Sequence, residues 1–131
     1  GYKTIGIAVS DRSFTIATPI NTVNRKGTNK DLSTIKEYLN EYEIGGFIVG
    51  LPLSLDGNEN EQTNKIRKFC NQLHLFFSSP VEFWDERYSS DIIFKEMRKS
   101  DFSSTKIKKK LDQQSAAYIL QGYLDKYRNT V

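Results

Sequence analysis

The sequence is poor in cysteine, histidine and long hydrophobic runs. It has one cysteine, Cys70, and one histidine, His74, so an internal disulfide is excluded and a zinc site built from these residue types is not expected. A lone cysteine is typical of proteins from reducing compartments. No apolar stretch approaches the ~20 residues that a membrane span needs, and we expect no secretory signal. These absences predict a cytoplasmic protein without a membrane partner, in which Cys70 lies in the core or on a helix surface.

The residues that are present fit a globular domain. Hydrophobic residues make up 37% and charged residues 27% of the 131 residues. At this length a single domain over residues 1–131 can bury roughly two thirds of the surface that the unfolded chain exposes. The net charge of +3 is too small to identify a partner by itself, so the distribution of the basic residues is more informative.

The first part of the chain predicts an antiparallel meander of three strands. Alternating apolar residues predict a strand over Lys3–Val9, and two further extended runs follow at Phe14–Pro19 and Asn21–Val23. The segment Ser10–Arg12 is typical of a turn. We therefore expect Asp11 to be a turn residue rather than a site residue.

The rest of the chain alternates buried strands with amphipathic helices. Apolar runs predict buried strands at Gly46–Gly50 and Val81–Asp85. Three-and-four spacing of apolar residues predicts helices at Asp31–Tyr42 (capped by Thr28 or Asn29), Glu59–Phe77, Ser89–Lys99 and Asp112–Arg128, with a polar, partly mobile connection over residues 101–110. An antiparallel start followed by parallel strands linked through helices predicts an α/β protein with a mixed sheet flanked by helices.

Acidic residues follow the second buried strand. Sites in such sheets lie at the carboxyl ends of the parallel strands, where Asp85 and Glu86 here meet Arg87. Neighbouring side chains of an extended chain point to opposite faces, so we expect one carboxylate to face the site and the other to act locally. The alternative is a helix start, in which Asp85 or Ser89 caps the helix and Glu86 pairs with Arg87.

A further carboxylate, Asp112, opens the predicted last helix. Small residues follow it at Ser115, Ala116 and Ala117, and they would let the helix approach the sheet closely and bring Asp112 near the strand ends. Carboxylates that arrive from distant parts of a sequence suit Mg²⁺, which takes one or two of them together with water and substrate phosphate. The alternative is that Asp112 is an N-cap.

Basic residues cluster just before Asp112. Lysines that meet phosphates release counterions and favour nucleic acid, so this stretch predicts a nucleic-acid partner. The alternative is an ordinary solvated face. The residues are Arg98, Lys99, Lys106, Lys108, Lys109 and Lys110.

Four segments carry the most specific motifs. They are Gly1–Asp11 (GYKTIGIAVSD), Gly50–Gly57 (GLPLSLDG), Asp85–Ser90 (DERYSS), and Lys110–Ala117 (KLDQQSAA) followed by Ile119–Asp125 (ILQGYLD). In this order the chain resembles, over its whole length, the YqgF family, also called RuvX, of Holliday-junction-resolvase-like nucleases.

The resemblance implies a ribonuclease H-like fold with a five-stranded mixed sheet: three antiparallel strands, then two parallel ones. It implies cleavage of structured RNA or branched DNA with Mg²⁺ or Mn²⁺. The implied role is maturation of the 5′ end of precursor 16S rRNA, with precursor ribosomal particles as partners and Holliday junction resolution as the alternative. Glu86 and Asp112 would be the catalytic metal ligands. The implied substrate-binding residues are Arg87, Lys106, Lys108, Lys109, Lys110, Gly50 and Pro52.

The chain departs from the family pattern near Gly1. The family's first strand carries Asp-x-Gly with the aspartate as a metal ligand, and Gly1 corresponds to that glycine. We expect the aspartate two residues before Gly1, in a segment missing from this sequence. Thr4 stands where an arginine is common, which would cost a phosphate contact.

Two further interpretations stay open. A nucleic-acid-binding ribosome assembly factor without catalysis would also explain the basic stretch. A nucleotide phosphotransferase is less well supported, because no second domain is evident to close over a nucleotide and fold does not fix function. A junction resolvase would need a symmetric dimer, and the sequence leaves a monomer or a weak homodimer open.

Overall fold

In a computed structural model the described residues are 3–53, 56–85 and 104–129, with side chains described for all but 104–109 and 128–129. They confirm an α/β protein. The chain forms two compact units, one of Gly1–Asn24 with Tyr88–Val131 and one of Arg25–Arg87. A single domain over residues 1–131 stays a prediction.

Seven elements lie within the described residues. They are β1 (Thr4–Ser10), β2 (Ala17–Asn24), α1 (Thr28–Tyr38), β3 (Phe47–Leu51), α2 (Glu61–Phe77), β4 (Val81–Asp85) and α3 (Ser104–Asn129). None of these three helices combines the length and the apolar character needed to cross a membrane. The predicted helix over Ser89–Lys99 lies outside the described residues.

In the first unit, β1 and β2 pair in antiparallel fashion from Thr4 opposite Asn24 to Ser10 opposite Ala17. The prediction of three strands in this region is wrong, because Ala17–Pro19 of the first run predicted after β1 and the whole of the second run belong to one strand, while residues 14–16 precede it. The pairing shifts where Ile20 stands between the paired Pro19 and Asn21, which is a β-bulge. A bulge takes up one extra residue without ending a strand, and it also tolerates a proline.

The five-stranded mixed sheet is not confirmed by the described residues, which form two two-stranded sheets. One is the antiparallel β1–β2 pair and the other is the parallel β3–β4 pair.

Helix α3 begins well before its predicted start at Asp112. The residues from Ser104 onward are helical, so the prediction of a polar, partly mobile connection is wrong over residues 104–110. Lysine, leucine and glutamine are good helix formers, and neither glycine nor proline interrupts the helix before Gly122. The helix therefore carries four of the basic residues, Lys106, Lys108, Lys109 and Lys110, on one continuous backbone with Asp112, whereas Arg98 and Lys99 lie outside the described residues.

Gly6 allows α3 to pack closely on β1. A Cβ atom built at Gly6 would overlap the carbonyl group of Asp112 and lie 2.9 Å from the backbone nitrogen of Gln113. The predicted close approach of helix and sheet is confirmed, although the residue that permits it is on the strand. Among the described residues of this unit, the buried apolar ones are Ile7, Val23, Ala117, Ile119 and Leu124.

The turn between β1 and β2 is organised by Asp11. One carboxylate oxygen accepts hydrogen bonds from the backbone N–H groups of Thr15 (2.7 Å) and Ile16 (3.0 Å), and the other accepts one from the Ser13 hydroxyl (2.7 Å). The hydrogen bonds from Ser13 and from the two backbone groups lower the pKa of Asp11 from 3.8 to about 2. The prediction that Asp11 is a turn residue is confirmed.

In the second unit, α1 begins at Thr28 and its N-cap is Gly27, with a φ of 128°. The prediction of a cap by Thr28 or Asn29 is wrong. Asp31, which is 1% exposed, instead accepts hydrogen bonds from the backbone N–H of Lys26 (2.9 Å) and from Nε of Arg25 (3.2 Å). Burial of this carboxylate is therefore balanced by a cation and a backbone donor.

The parallel pair β3–β4 runs from Phe47 opposite Val81 to Leu51 opposite Asp85. The predicted bounds are confirmed for β4 and are one residue early for β3. Helix α2 packs against β4 and carries Cys70. Cys70 is 3% exposed, and burial raises the pKa of its thiol to about 11, as expected for an inert core cysteine.

Replacing Gly6 by alanine is expected to destabilise the protein by about 1–3 kcal/mol, because the new methyl group forces α3 away from β1. Without this clash, alanine in a strand would be more stable than glycine by roughly 0.5–1 kcal/mol. Chemical denaturation measures the difference. Gly45→Ala is the control, since a Cβ there meets nothing within 4 Å and should change stability by less than ~0.5 kcal/mol. Equal effects of the two substitutions would contradict the packing argument.

Replacing Asp11 by alanine is expected to lower stability at neutral pH, because the turn loses its acceptors. The pKa of Asp11 is lowered by folding, so its contribution is complete above the ordinary value of 3.8 and is lost as the pH falls to about 2. Urea midpoints of wild type and Asp11→Ala should therefore converge over that range. Glu43→Ala, at an exposed carboxylate, is the control. A difference that is constant down to pH 2 would contradict the assignment.

Candidate functional site

Asp112 lies inside α3, against the first strand. Because the helix begins at Ser104, the alternative in which Asp112 is an N-cap is wrong. Its side chain is half-buried, and its Oδ2 atom accepts a hydrogen bond from the hydroxyl of Thr4. The backbone contact with Gly6 brings the same turn of the helix onto β1. Asp112 thus lies beside the start of the opening strand.

The two oxygens of the Asp112 carboxylate differ in their contacts. Within the described part of the chain, Oδ1 has no hydrogen-bond or ion-pair partner. Carboxylate oxygens are the ligands that Mg²⁺ and Mn²⁺ prefer, so the chemistry of this side chain fits a divalent cation. Residues 3–53, 56–85 and 104–129 contain no group of three or more His, Cys, Asp or Glu residues that could hold a metal. Of the two predicted metal ligands, the described residues include only Asp112.

The other predicted ligand, Glu86, follows the last residue of β4. Glu86 and Arg87 both lie outside the described residues. The register of the parallel pair sets Asp85 opposite Leu51, so the carboxyl ends of the two strands are level. The predicted convergence of Glu86 with Asp112 on one cation stays a prediction.

Gly50 and Pro52 belong to the end of β3 and the loop that follows it. Gly50 pairs with Trp84, and the carbonyl of Pro52 accepts a hydrogen bond of 3.4 Å from Nδ2 of Asn60. Asn60 is also the N-cap of α2, in a reciprocal capping box with Thr63. The loop is thereby tied to the start of α2. The predicted contact of Gly50 and Pro52 with substrate stays a prediction.

The predicted substrate-binding lysines belong to the first turns of α3. Lys110 is exposed, while the side chains of Lys106, Lys108 and Lys109 lie outside the described residues. Positions 106, 109 and 110 follow the three-and-four spacing of one helix face, and positions 108 and 109 lie one turn before Asp112. The helix therefore brings cationic positions and a carboxylate together along one element.

The contact of Thr4 with Asp112 was not predicted from the sequence. From the sequence, Thr4 was notable only for standing where an arginine is common, whereas in the structure its hydroxyl donates a hydrogen bond to Asp112. The two residues are 108 positions apart, so local patterns contain no signal of the contact. Ser115 was predicted only as a small residue that lets the helix approach the sheet, yet its buried hydroxyl has no hydrogen-bond partner among the described residues.

Known proteins are similar to this chain over nearly its whole length. The model of the RuvX family, described as "Holliday junction resolvase", matches residues 1–126. A relative from Thermoanaerobacter pseudethanolicus is 42% identical over 98% of this chain and 94% of its own. One from Clostridium kluyveri is 39% identical, with 96% and 92% covered. One from Zymomonas mobilis is 35% identical, with 97% and 77% covered.

All three relatives carry the name "Putative pre-16S rRNA nuclease". The family match covers Thr4, Gly6 and Asp112, so the contact between β1 and α3 lies within the matched residues. The chain belongs to the RuvX family.

Proposed function

We propose that this protein is a divalent-metal-dependent nuclease with a ribonuclease H-like fold that hydrolyses phosphodiester bonds in maturing the 5′ end of precursor 16S rRNA. The observation that carries the proposal is the carboxylate of Asp112, which is fixed at one oxygen by Thr4 and has its other oxygen without a partner among the described residues. The family and the names of the relatives agree with a nuclease.

Asp112 and Glu86 would hold the Mg²⁺ or Mn²⁺ ion. One or two carboxylates are the usual protein contribution to such a site, with water and substrate phosphate completing it. When bound, the cation supplies Lewis-acid stabilisation of the charge that develops on the phosphodiester oxygens. The chain's part is to hold Asp112 at a defined position, and the contacts of Thr4 and Gly6 supply that rigidity.

Basic positions of α3 would hold the nucleic-acid backbone. Lysines at positions 106, 108, 109 and 110 precede Asp112 on the same helix, so phosphates bound there would run towards the carboxylate. Arg87 would clamp a further phosphate. Gly50 and Pro52 would shape the loop beside the substrate, since neither presents a bulky polar side chain.

Holliday junction resolution is the second candidate function, because the description of the matching family names it. Paired cuts across a four-way junction require two active sites related by symmetry, whereas trimming of an rRNA precursor does not. A cleavage assay with both substrates, and sedimentation to determine the oligomeric state, separates the two. Binding of precursor rRNA without cleavage under any metal condition would instead support an assembly factor.

Replacing Asp112 by asparagine is expected to lower kcat at least ~100-fold on precursor rRNA with Mn²⁺ or Mg²⁺, because a ligand charge is lost. The amide oxygen can still accept from Thr4, so the melting temperature should change by less than about 4 °C. Glu86→Gln should show the same loss of kcat with a similarly small change in melting temperature. The matched control is Asp125→Asn in the same helix, whose oxygen accepts from Gln121 at 3.0 Å. Unchanged cleavage by both site variants would overturn the proposal.

Removing lysines of α3 is expected to weaken RNA binding and its dependence on salt. Each phosphate contact that is lost should lower the slope of log K against log salt concentration by about 1. Lys106→Ala combined with Lys110→Ala tests this by fluorescence titration at several salt concentrations. Lys26→Ala combined with Lys30→Ala removes the same charge from exposed positions around the start of α1. Identical slopes for the two double variants would contradict the assignment.

A further inference from the structure

We propose that Thr4 is a positioning residue that holds the carboxylate of Asp112 in the orientation in which it binds a divalent cation. This inference rests on the proposed function, because it needs Asp112 to be a metal ligand. It goes further by giving a role in metal binding to an uncharged residue of the first strand.

The hydrogen bond between these residues is a long-range and shielded one. The Thr4 hydroxyl donates to Oδ2 of Asp112 across 108 positions of sequence, and Thr4 is 8% exposed. A hydrogen bond to an ionised acceptor is roughly twice as strong as one between neutral groups, and exclusion of water strengthens it further. The bond therefore limits the rotation of the Asp112 side chain.

Thr4 acts together with Gly6. Residues two apart on a strand face the same side of the sheet, and Gly6 contacts the backbone of Asp112 while Thr4 contacts its side chain. One face of β1 thus determines both the position of the Asp112 backbone and the direction of its carboxylate. A hydroxyl at position 4 is useful only because position 6 allows the helix to lie so close.

The polar groups around this contact indicate that it serves the binding of a ligand and not only the stability of the fold. Oδ1 of Asp112 has no partner within the described residues, and the same is true of the buried hydroxyl of Ser115. Ser115 is three positions after Asp112, on the same side of α3. A contact that only satisfied a half-buried carboxylate would not leave two neighbouring polar atoms without partners in this part of the chain.

Residues that hydrogen-bond to a metal ligand affect metal affinity, and their loss typically costs about 10–100-fold. The test is therefore Mn²⁺ binding to the full-length protein, measured by calorimetry without nucleic acid. Thr4→Val keeps the shape of the side chain and removes the donor, and we expect at least ~10-fold weaker binding. Thr4→Ser keeps the hydroxyl and should bind within ~3-fold of the wild type.

The dependence of kcat on Mn²⁺ concentration is a second measurement, and it distinguishes a role of Thr4 in metal binding from a purely structural role. If Thr4 acts through the metal, raising the Mn²⁺ concentration should restore kcat of Thr4→Val, and the KM for RNA should stay constant at saturating Mn²⁺. Thr18→Val is the matched control, at an exposed threonine of β2, and should leave Mn²⁺ affinity unchanged. Wild-type Mn²⁺ affinity in Thr4→Val would overturn the inference.

Failure of this inference can be told apart from failure of the proposed function. If Asp112→Asn and Glu86→Gln both bind Mn²⁺ and cleave RNA like the wild type, the proposed function fails. If Asp112→Asn is inactive while Thr4→Val keeps wild-type affinity, only the role of Thr4 fails. If Thr4→Val does not fold, Thr4→Ala replaces it, because alanine removes the hydroxyl without adding a group. The Mn²⁺ affinity of Thr4→Ala is then compared with that of Thr4→Ser.

Discussion

The close contact between Gly6 and the backbone of Asp112 is the constraint on which the first unit depends. Helix α3 packs against both strands of the antiparallel pair, and it does so at a distance that no side chain at position 6 would permit. A strand glycine usually costs stability, and here that cost is offset by the packing of helix on sheet that it permits. The hydrogen bond from Thr4 to Asp112 is a consequence of the same approach.

The length of α3 has a second consequence for the candidate site. Because the helix begins at Ser104, the lysines before Asp112 belong to the same element as the carboxylate. Backbone positions on one helix keep a constant separation, whereas the separations would vary in a mobile connection. A phosphate-binding surface and a metal ligand on one helix would move as a unit, which favours alignment of a bound backbone with the reacting position.

The second unit places the ends of two parallel strands and the loop that follows one of them. The in-register parallel pair brings the carboxyl ends of β3 and β4 level, and the Asn60 cap ties the loop after β3 to the start of α2. The buried carboxylate of Asp31 shows the usual arrangement where no ligand is expected. Each of its two oxygens accepts a hydrogen bond from the protein, one from Arg25 and one from the backbone N–H of Lys26. Asp112 differs, since one of its oxygens has no partner among the described residues.

The amino-acid sequence by itself determined the features that depend on short-range pattern. The bounds of β4, the start of α2 within two residues, the turn role of Asp11 and the membership of the RuvX family all follow from runs of a few residues. Tertiary structure decided the rest. The bulge at Ile20 joins two apparent strands into one because pairing with β1 continues on both sides of it. Helix α3 forms over a polar stretch that shows no amphipathic signal, and its packing against β1 and β2 supplies the stability that this stretch lacks. Thr4 meets Asp112 only because the two ends of the chain pack together, and contacts between residues so far apart leave no periodicity in either segment.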